Sequence, residues 1–317
     1  MLPDGCDLTG AILQGITSDS SRYHDAILTC TTVTIVVFIT STLSKNFSQI
    51  DKLWSIIPAV YAWIAVVSPR TLLMATVATV WGMRLTYNFW RRGGYSWPPW
   101  EGEEDYRWEF IRRGHYLKIL QNPIAWHLFN LTFISIYQNF LLLSIASPSF
   151  VAYTMATNPS CVGVEGETPL NWMDCVAATL VVLLVVIESI ADNQQNQFQT
   201  EKYRRINAGM ELEGEYKDGF CQSGLFSIVR KPNYAAEQAI WISFYIFSIS
   251  ASGEIFNWSS IGWILLVLLF QGSGALTEKL TLMKYKEYLE YQKRVPLYVP
   301  RFYGWPSRRR ENSKKQN

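Results

Sequence analysis

The chain has 317 residues, of which 49% are apolar, 15% aromatic and 17% charged, and its formal net charge at pH 7 is +2. A soluble domain carries about 25% charged residues. The apolar residues here come in long runs, without the spacing of a helix or strand that is apolar on one face only. The composition therefore predicts an integral membrane protein, and we expect no nucleic-acid partner.

The cysteines and histidines give no sign of a metal or redox centre. The five cysteines are widely spaced and odd in number, and none forms a C-x-x-C pair, which excludes a disulfide framework and a thiol redox pair. No two of the three histidines lie at metal-ligand spacing. We therefore predict that the chain binds no metal.

Seven segments are predicted to cross the membrane as helices, because a spanning helix needs about 20 mostly apolar residues. The second segment is short and contains Pro58. The segments are 26–43, 53–68, 71–90, 123–147, 171–191, 232–251 and 258–279. The predicted fold is all-α, with a polar segment over 1–25, a single membrane bundle over 26–305 and a basic tail over 306–317.

The distribution of lysine and arginine sets the predicted orientation. Seven crossings place the N-terminus, 69–70, 148–170 and 252–257 on one side, which holds two basic residues, whereas 24 of the 28 fall on the other side. Basic residues are enriched on the cytosolic side of membrane proteins. We therefore predict a lumenal N-terminus and a cytosolic C-terminus. Lys314 and Lys315 resemble a di-lysine retrieval signal, which points to the endoplasmic reticulum membrane.

Polar residues at the cytosolic ends of spans are the natural candidates for function. One group begins span six. Pro232 suits the first turn of a helix, Asn233 and Glu237 share one helical face, and Arg230 and Lys231 precede a helix N-terminus, which attracts anions. A phosphate-rich ligand would fit there. The alternative is a basic anchor at the membrane edge with a capping proline.

A second group ends span five. Glu188 and Asp192 are four residues apart and face the same way. Two acids on one helical face repel each other unless something binds between or beside them. The alternative is that both side chains simply reach the cytosolic interface, where the helix ends.

A polar stripe formed by Arg84, Tyr87, Asn88 and Arg91 ends span three. A buried arginine costs about 2.5–3.5 kcal/mol on the membrane-insertion scale, although Arg84 is near enough to the span end to reach the interface. An acidic and aromatic patch follows at 103–108, which alone is typical of a solvated loop. After span seven, 285–296 is predicted to form an interfacial helix with tyrosines at headgroup depth.

Taken in order, these motifs resemble the steroid oxidoreductase superfamily, membrane proteins with the C-terminal domain of 3-oxo-5-alpha-steroid 4-dehydrogenases. The uncharacterised branch of that superfamily is the most similar. The match covers about 50–305, with the reductase-like half over about 120–305. The residues that carry it are Asp51 and Trp54, Trp81 to Leu85, Glu104 to Trp108, Glu188 and Asp192, Gly224 to Phe226, and Arg230 to Tyr234 with Glu237.

The resemblance implies a helical reductase that binds NADPH from the cytosol without a Rossmann fold. It implies a nicotinamide and ribose end, a phosphate end and a cofactor-contacting acid in place of an asparagine. The nicotinamide and ribose end would be lined by Asp192, Asn233, Tyr234 and Glu237. The phosphates would be contacted by Arg84, Tyr87 and Arg91, with Arg230 and Lys231 as further cations. Glu188 stands at the position of the asparagine. No G-x-G-x-x-G motif is present; Gly272 and Gly274 in span seven are expected to serve helix packing.

Two departures from the family pattern bear on the substrate. Lys231 replaces the usual histidine, which puts that histidine's role in proton transfer in doubt. Thr277 and Thr281 stand where the steroid reductases carry a histidine and a tyrosine. The second departure weakens the case for a steroid.

The predicted activity is that of an NADPH-dependent oxidoreductase acting on CH–CH groups. It would reduce a C=C bond conjugated to a carbonyl in a lipidic substrate (a steroid, sterol, fatty enoyl or isoprenoid compound) that enters from the membrane lipids. Tyr234, Tyr87 or a protonated Glu237 could donate a hydrogen bond to the carbonyl oxygen.

Two alternatives stay open. One is an S-adenosylmethionine-dependent membrane methyltransferase of the isoprenylcysteine carboxyl or phospholipid type, which the tail from Glu278 to Pro296 also resembles. The other is a non-catalytic lipid-binding or scaffold protein.

Overall fold

The computed structural model describes residue 10 and residues 21–158, 161 and 169–301, and in these ranges the regular structure is helical, without a strand. This confirms the all-α prediction. The helices are α1 (Arg22–Ser44), α2 (Gln49–Leu53), α3 (Ile57–Ile64), α4 (Pro69–Trp90), α5 (Tyr106–Arg112), α6 (Pro123–Phe129), α7 (Gln138–Ala146), α8 (Pro148–Thr157), α9 (Trp172–Asn207), α10 (Glu215–Asp218), α11 (Pro232–Ser252), α12 (Ser260–Lys284) and α13 (Tyr288–Arg294). Short 3-10 turns lie at Lys118–Gln121 and Gly224–Ser227, and a π-helical stretch, Asn130–Tyr137, joins α6 to α7.

Four helices of the described chain are long and apolar enough to cross a membrane. They are α1, the continuous helix Pro123–Ala146, α9 and α12. The chain is therefore a candidate multi-pass membrane protein. Helices α4 and α11 have 22 and 21 residues, which is long enough to span, but they are less apolar.

The predicted span over 53–68 is not one continuous helix. It is interrupted at 54–56, and α3 keeps only eight residues, which rise about 12 Å against a hydrocarbon core of about 30 Å. Pro58 explains the interruption, because it has no N–H and its ring clashes with the carbonyl of the preceding turn. The chain still runs antiparallel to α4, since the hydroxyls of Ser55 and Thr86 are 2.7 Å apart and Trp63 donates to Thr79 at 2.9 Å.

The chain divides into two compact units, Met1–Val186 with Gln238–Leu269, and Ile187–Glu237 with Phe270–Asn317. At one end of the first unit, residues within or next to the four segments predicted to share a side of the membrane contact one another. These contacts are Tyr23 Oη to Thr154 Oγ1 (2.6 Å), Arg70 Nε to Asp174 Oδ1 (2.9 Å) and Ser250 Oγ to Asn171 Oδ1 (3.0 Å). The Arg70–Asp174 pair is buried, so this end is held by an ion pair as well as by hydrogen bonds.

Cys161, in the segment 148–170, is disulfide-bonded, and its partner lies outside the described residues. Cys30, Cys175 and Cys221 are free. We predicted no disulfide framework, and this single bond could not be foreseen, because an odd number of widely spaced cysteines does not indicate which two meet. Positions 314 and 315, with the rest of the basic tail, also lie outside the described residues.

Two segments of the first unit, 46–52 and 99–108, are joined residue by residue, and we call this the polar clamp. Asp51 and Trp108 come from separate family motifs, and here the Trp108 indole donates to the Asp51 carboxylate at 3.2 Å. The other contacts are Asn46 to Gly102 O, Phe47 N to Glu104, Asp105 N to Ser48 Oγ, Gln49 to Trp100 O, and Lys52 to the carbonyls of Pro99 and Glu101. The patch that resembles a solvated loop is therefore fixed to the segment that follows α1.

The second unit contains a core of aromatic side chains. Phe220 packs against Tyr288 and Tyr291, which lie on α13 and are both buried. The segment predicted to be an interfacial helix is therefore helical over α13, but its two tyrosines face the protein and were wrongly expected at headgroup depth. Lys202 is also buried, and its ammonium donates to the carbonyl of Gly219 at 2.8 Å and to the phenol of Tyr285 at 2.9 Å.

Candidate functional site

The candidate site of the second unit is centred on Asp192 of α9 and Asn233 of α11. The amide of Asn233 donates to the carboxylate of Asp192 at 3.4 Å. This distance exceeds the usual 2.9–3.0 Å for an N–H···O bond, so the two side chains are neighbours without being tightly bound. Asn233 owes its position to Pro232, at which α11 begins. Two residues that the resemblance assigns to the nicotinamide and ribose end thus lie side by side.

Two more carboxyl groups flank this pair. Glu188 lies one helical turn before Asp192, and Glu237 lies one turn after Asn233, each on the same face of its helix. The three acids are buried, with exposed fractions of 4%, 3% and 4% for Glu188, Asp192 and Glu237. A buried carboxylate is stable only with hydrogen-bond donors around it. Ionised carboxylates only accept hydrogen bonds, so a ligand that contacts these acids would have to offer N–H or O–H donors.

A turn that carries another family motif lies against α9 beside these acids. The backbone N–H of Leu225 donates to the side-chain oxygen of Gln194 at 2.9 Å. Gly224 has a φ of +58°, and a Cβ there would lie 2.4 Å from the amide nitrogen of Gln194. Glycine is therefore required at this turn for both its conformation and its lack of a side chain.

Arg230 is engaged by partners within the second unit that the sequence did not indicate, and its phosphate-contacting role stays a prediction. Its guanidinium is 2.7 Å from the carboxylate of Glu278 and also donates to the carbonyls of Gln292 and Val295. Both charged side chains are about nine-tenths buried. Because its donors are engaged inside the protein, Arg230 is a structural residue of the second unit.

Glu278 is the residue that the sequence reasoning missed. Besides Arg230, it accepts hydrogen bonds from the phenol of Tyr288 and from the amide of Gln292 at 2.6 Å. It thus joins α12, α13 and the segment before α11. The signal available in the sequence was an acid inside an apolar span, which is rare unless it has a defined partner.

The segment after α13 completes the start of α11. The N–H groups of Arg230 and Lys231 donate to the carbonyls of Pro296 and Leu297 at 2.8 and 3.2 Å. Tyr298 then donates to the carbonyl of Phe270 at 2.7 Å. A Cβ on Gly274 would lie 2.0 Å from the Tyr298 phenol oxygen, so Gly274 accommodates this tyrosine and does not serve the helix packing predicted for it.

Tyr234, predicted to be catalytic, is held between two neighbours. The ammonium of Lys231 lies 5.2 Å from its ring centroid, and Phe270 packs against it edge to face at 4.9 Å. A cation at this distance from an aromatic ring is attracted to its face. Lys231 is therefore brought to Tyr234, and the tyrosine ring has a defined orientation.

The remaining predicted site residues lie on α4, in the first unit. Arg91 donates to the side chain of Asn88 at 2.9 Å, and its guanidinium lies 5.7 Å from the ring centroid of Tyr87. Tyr87 is exposed, Asn88 is buried, and Arg84 and Arg91 are half-buried. Three members of the stripe, Tyr87, Asn88 and Arg91, thus contact one another. The predicted role of the stripe toward the cofactor phosphates stays a prediction.

Across the described ranges, no group of three or more His, Cys, Asp or Glu could hold a metal ion.

Comparison with known proteins adds a family but no activity. The family described as "Protein of unknown function (DUF1295)" matches residues 37–295. An uncharacterised protein of Schizosaccharomyces pombe (strain 972 / ATCC 24843) is 35% identical over 278 residues, which cover 83% of this chain and 75% of the yeast protein. No solved structure matches the chain.

Proposed function

The chain belongs to the DUF1295 family of proteins of unknown function, and we propose that it is a membrane-embedded, NADPH-dependent reductase of a C=C bond conjugated to a carbonyl in a lipidic substrate. The observation that carries this proposal is the Asp192–Asn233 pair with Glu188 and Glu237 buried one turn away on the same helical faces. The resemblance to the steroid oxidoreductase superfamily supplies the reaction class.

The donor and acceptor pattern of the group fits one end of the cofactor. The nicotinamide carboxamide and the ribose hydroxyls present N–H and O–H donors, which carboxylates and the Asn233 oxygen can accept. We assign Asp192, Asn233 and Glu237 to this end, with Glu188 beside them. NADPH, when bound, would supply the hydride. Since Arg230 is engaged with Glu278, Lys231 is the cation of this unit that we assign to a phosphate.

The protein itself must stabilise the charge that develops on the substrate oxygen. We assign this role to Tyr234, because its ring is oriented by Phe270 and its neighbour Lys231 is positively charged. A hydrogen-bond donor at a developing oxyanion is worth about 2.7–4 kcal/mol. Tyr87 is the weaker candidate, since it is exposed and lies under the guanidinium of Arg91.

We further propose seven crossings of the endoplasmic reticulum membrane, with a lumenal N-terminus and a cytosolic C-terminus; the second crossing is the interrupted segment 53–68, which runs antiparallel to α4. The segregation of lysine and arginine supports this orientation. The contacts among the segments around Tyr23, Arg70, 148–170 and Ser250 support their common side. The disulfide of Cys161 also supports a lumenal position for 148–170, because disulfides persist in oxidising compartments.

One observation favours a second candidate, a membrane methyltransferase. Arg230, one of the cations predicted for a phosphate, is paired with Glu278, and the group itself contains three buried acids. Such a site also suits S-adenosylmethionine, whose sulfonium and amino groups are cationic, whereas NADPH carries several phosphate charges. The choice between the two cofactors thus depends on phosphate recognition.

The thermal midpoint of the detergent-solubilised protein distinguishes the candidates, because a ligand that binds the native state raises it. We expect NADPH to raise the midpoint, NADH to raise it less because it lacks the 2′-phosphate, and S-adenosylmethionine to leave it unchanged. Stabilisation by S-adenosylmethionine with no effect of NADPH would replace the reductase with the methyltransferase. If neither ligand changes the midpoint, a non-catalytic lipid-binding or scaffold protein would be favoured.

A further inference from the structure

Residues 91–122 carry large apolar side chains that point out of the first unit. Trp97 is 87% exposed and Ile119 is 70% exposed. Four others in the same segment are also exposed, namely Trp100, Tyr106, Tyr116 and Leu117. Single exposed apolar side chains are ordinary, whereas a large amount of exposed apolar surface marks an interaction site. These six residues are called the aromatic cap below.

The segment that carries these exposed residues is held in place by contacts with the rest of the first unit. The polar clamp fixes residues 99–108, and Lys52 and Asp51 bind their partners there through buried or half-buried groups. Trp108 of the same segment is buried, and so are Ile111 and Leu120. The segment therefore has one set of apolar residues that face the protein and another set that face outward. This pattern is typical of a folded element that contacts the protein core on one side and a second apolar environment on the other.

The outward set is continuous along the chain with candidate membrane-facing surface. Trp90, at the end of α4, is exposed just before the segment begins. The 3-10 turn Lys118–Gln121 leads into α6, where Ile124 and Leu128 are exposed on a helix that is a candidate span. The aromatic cap thus lies between exposed apolar residues at the end of α4 and on a candidate span.

The charge of the segment indicates whether it would bind anionic lipid headgroups or the interfacial layer of any bilayer. It contains six basic and five acidic residues, so its net charge is close to zero. Attraction to anionic lipids would need an excess of lysine and arginine, but tryptophan and tyrosine favour the membrane interface irrespective of lipid charge. The partner that fits is the interfacial layer of a bilayer.

We propose that residues 91–122 are an interfacial element, and that Trp97 and Ile119 insert at the boundary between headgroups and acyl chains. This differs from the solvated loop expected from the acidic and aromatic composition of 103–108. Glu103, which is exposed on the same segment, remains on the aqueous side. The proposal does not depend on the NADPH assignment.

Site-directed spin labelling of the full chain in phosphatidylcholine nanodiscs tests the proposal. The free cysteines Cys30, Cys175 and Cys221 are replaced by serine, and single cysteines are introduced as Trp97→Cys, Ile119→Cys and Glu103→Cys. Size-exclusion profiles and thermal midpoints confirm that each variant is folded. The probes are oxygen, which partitions into the bilayer, and a water-soluble nickel complex.

We expect the ratio of oxygen to nickel accessibility to be severalfold higher at positions 97 and 119 than at 103. We also expect it to stay unchanged when phosphatidylserine is added to the nanodiscs. Nickel accessibility at 97 and 119 equal to that at 103 would overturn the proposal and leave the aromatic cap as a surface for a protein partner. A requirement for phosphatidylserine would equally overturn it, because insertion would then depend on charge.

Discussion

Glu278 and Arg230 form a buried ion pair, with 2.7 Å between a carboxylate oxygen and a guanidinium nitrogen. The pair joins α12 to the residues that precede α11, and hence to Asn233. Arg230 therefore acts on the candidate site through structure, since the same guanidinium also holds the carbonyls that end α13.

We expect Glu278→Ala to lower the thermal midpoint of the ligand-free protein strongly. Removing one partner of a buried ion pair leaves an uncompensated charge and costs about 3–5 kcal/mol. Glu290→Ala is the matched control, because Glu290 pairs with Lys293 at an exposed position, where such pairs are worth about 0–1 kcal/mol. Equal midpoints for the two variants would contradict a structural role for Glu278.

Asn233→Ala and Asp192→Ala are each expected to weaken NADPH binding about tenfold or more. This corresponds to the roughly 1.4 kcal/mol or more of a charge-assisted hydrogen bond. Gln197→Ala, at an exposed position of α9, serves as the control and should bind as the wild type does. Titration of the purified variants measures the affinities, and unchanged binding in both site variants would refute the assignment of the nicotinamide end.

Gly274→Ala should destabilise the protein by about 1–3 kcal/mol, the usual cost of overpacking. The added Cβ would lie 2.0 Å from the Tyr298 phenol oxygen, whereas the same atom on Gly272 would have no neighbour within 4 Å. Gly272→Ala is therefore the control, with little change expected. In a denaturation series, adding Tyr298→Phe to Gly274→Ala should recover part of the loss; no recovery would show that the clash lies elsewhere.

The stability of the first unit should depend on pH through Asp51. Burial raises the pKa of this carboxyl above its ordinary value, and the nearby charge of Asp105 raises it further, while Arg107 and the bonds from Ser48 and Trp108 oppose the shift. The native state thus holds a proton more tightly than the unfolded state, and stability is lost as pH rises through the native pKa.

Asp51→Asn removes this titration, so its thermal midpoint should gain on that of the wild type as pH increases from acidic values to neutrality. The difference between the two midpoint curves is the measured quantity. Curves that stay parallel over this range would contradict a raised pKa at Asp51.

The proposed orientation predicts which introduced cysteines react from each side of sealed microsomes. With the free cysteines replaced, Leu170→Cys should be shielded from an impermeant reagent until the membrane is permeabilised, because 148–170 is assigned to the lumen. Glu213→Cys should react at once, since 192–231 is assigned to the cytosol. Both positions are exposed in the structure. The opposite pattern would invert the topology.

The sequence was sufficient to predict which site residues share a helix face, because their spacing along the chain is local. The four-residue intervals from Glu188 to Asp192 and from Asn233 to Glu237 placed these acids and the amide on two helix faces, and the contact between Asp192 and Asn233 agrees with that expectation. Pro58 was visible as a weak point, although only the structure shows that the helix is interrupted before it.

Contacts between residues that are far apart in the sequence could not be predicted from a local spacing. Arg230 and Glu278 are far apart in the sequence, and an arginine before a helix N-terminus looks the same whether it binds a phosphate or a buried acid. Likewise, Tyr288 and Tyr291 alternate with charged residues in a way that suits an interface, but the packing of Phe220 against them turns them inward. These outcomes depend on tertiary contacts that no local periodicity encodes.

The carbonyls of Pro296 and Leu297, which complete the start of α11, affect how C-terminal deletions are to be interpreted. A truncation that removes them breaks backbone hydrogen bonds beside Asn233, far away in the sequence. The resulting protein would be mislocalised or degraded because it is misfolded, whether or not Lys314 and Lys315 direct retrieval. A deletion study of the targeting signal can therefore be interpreted only if the chain is left intact through Tyr298.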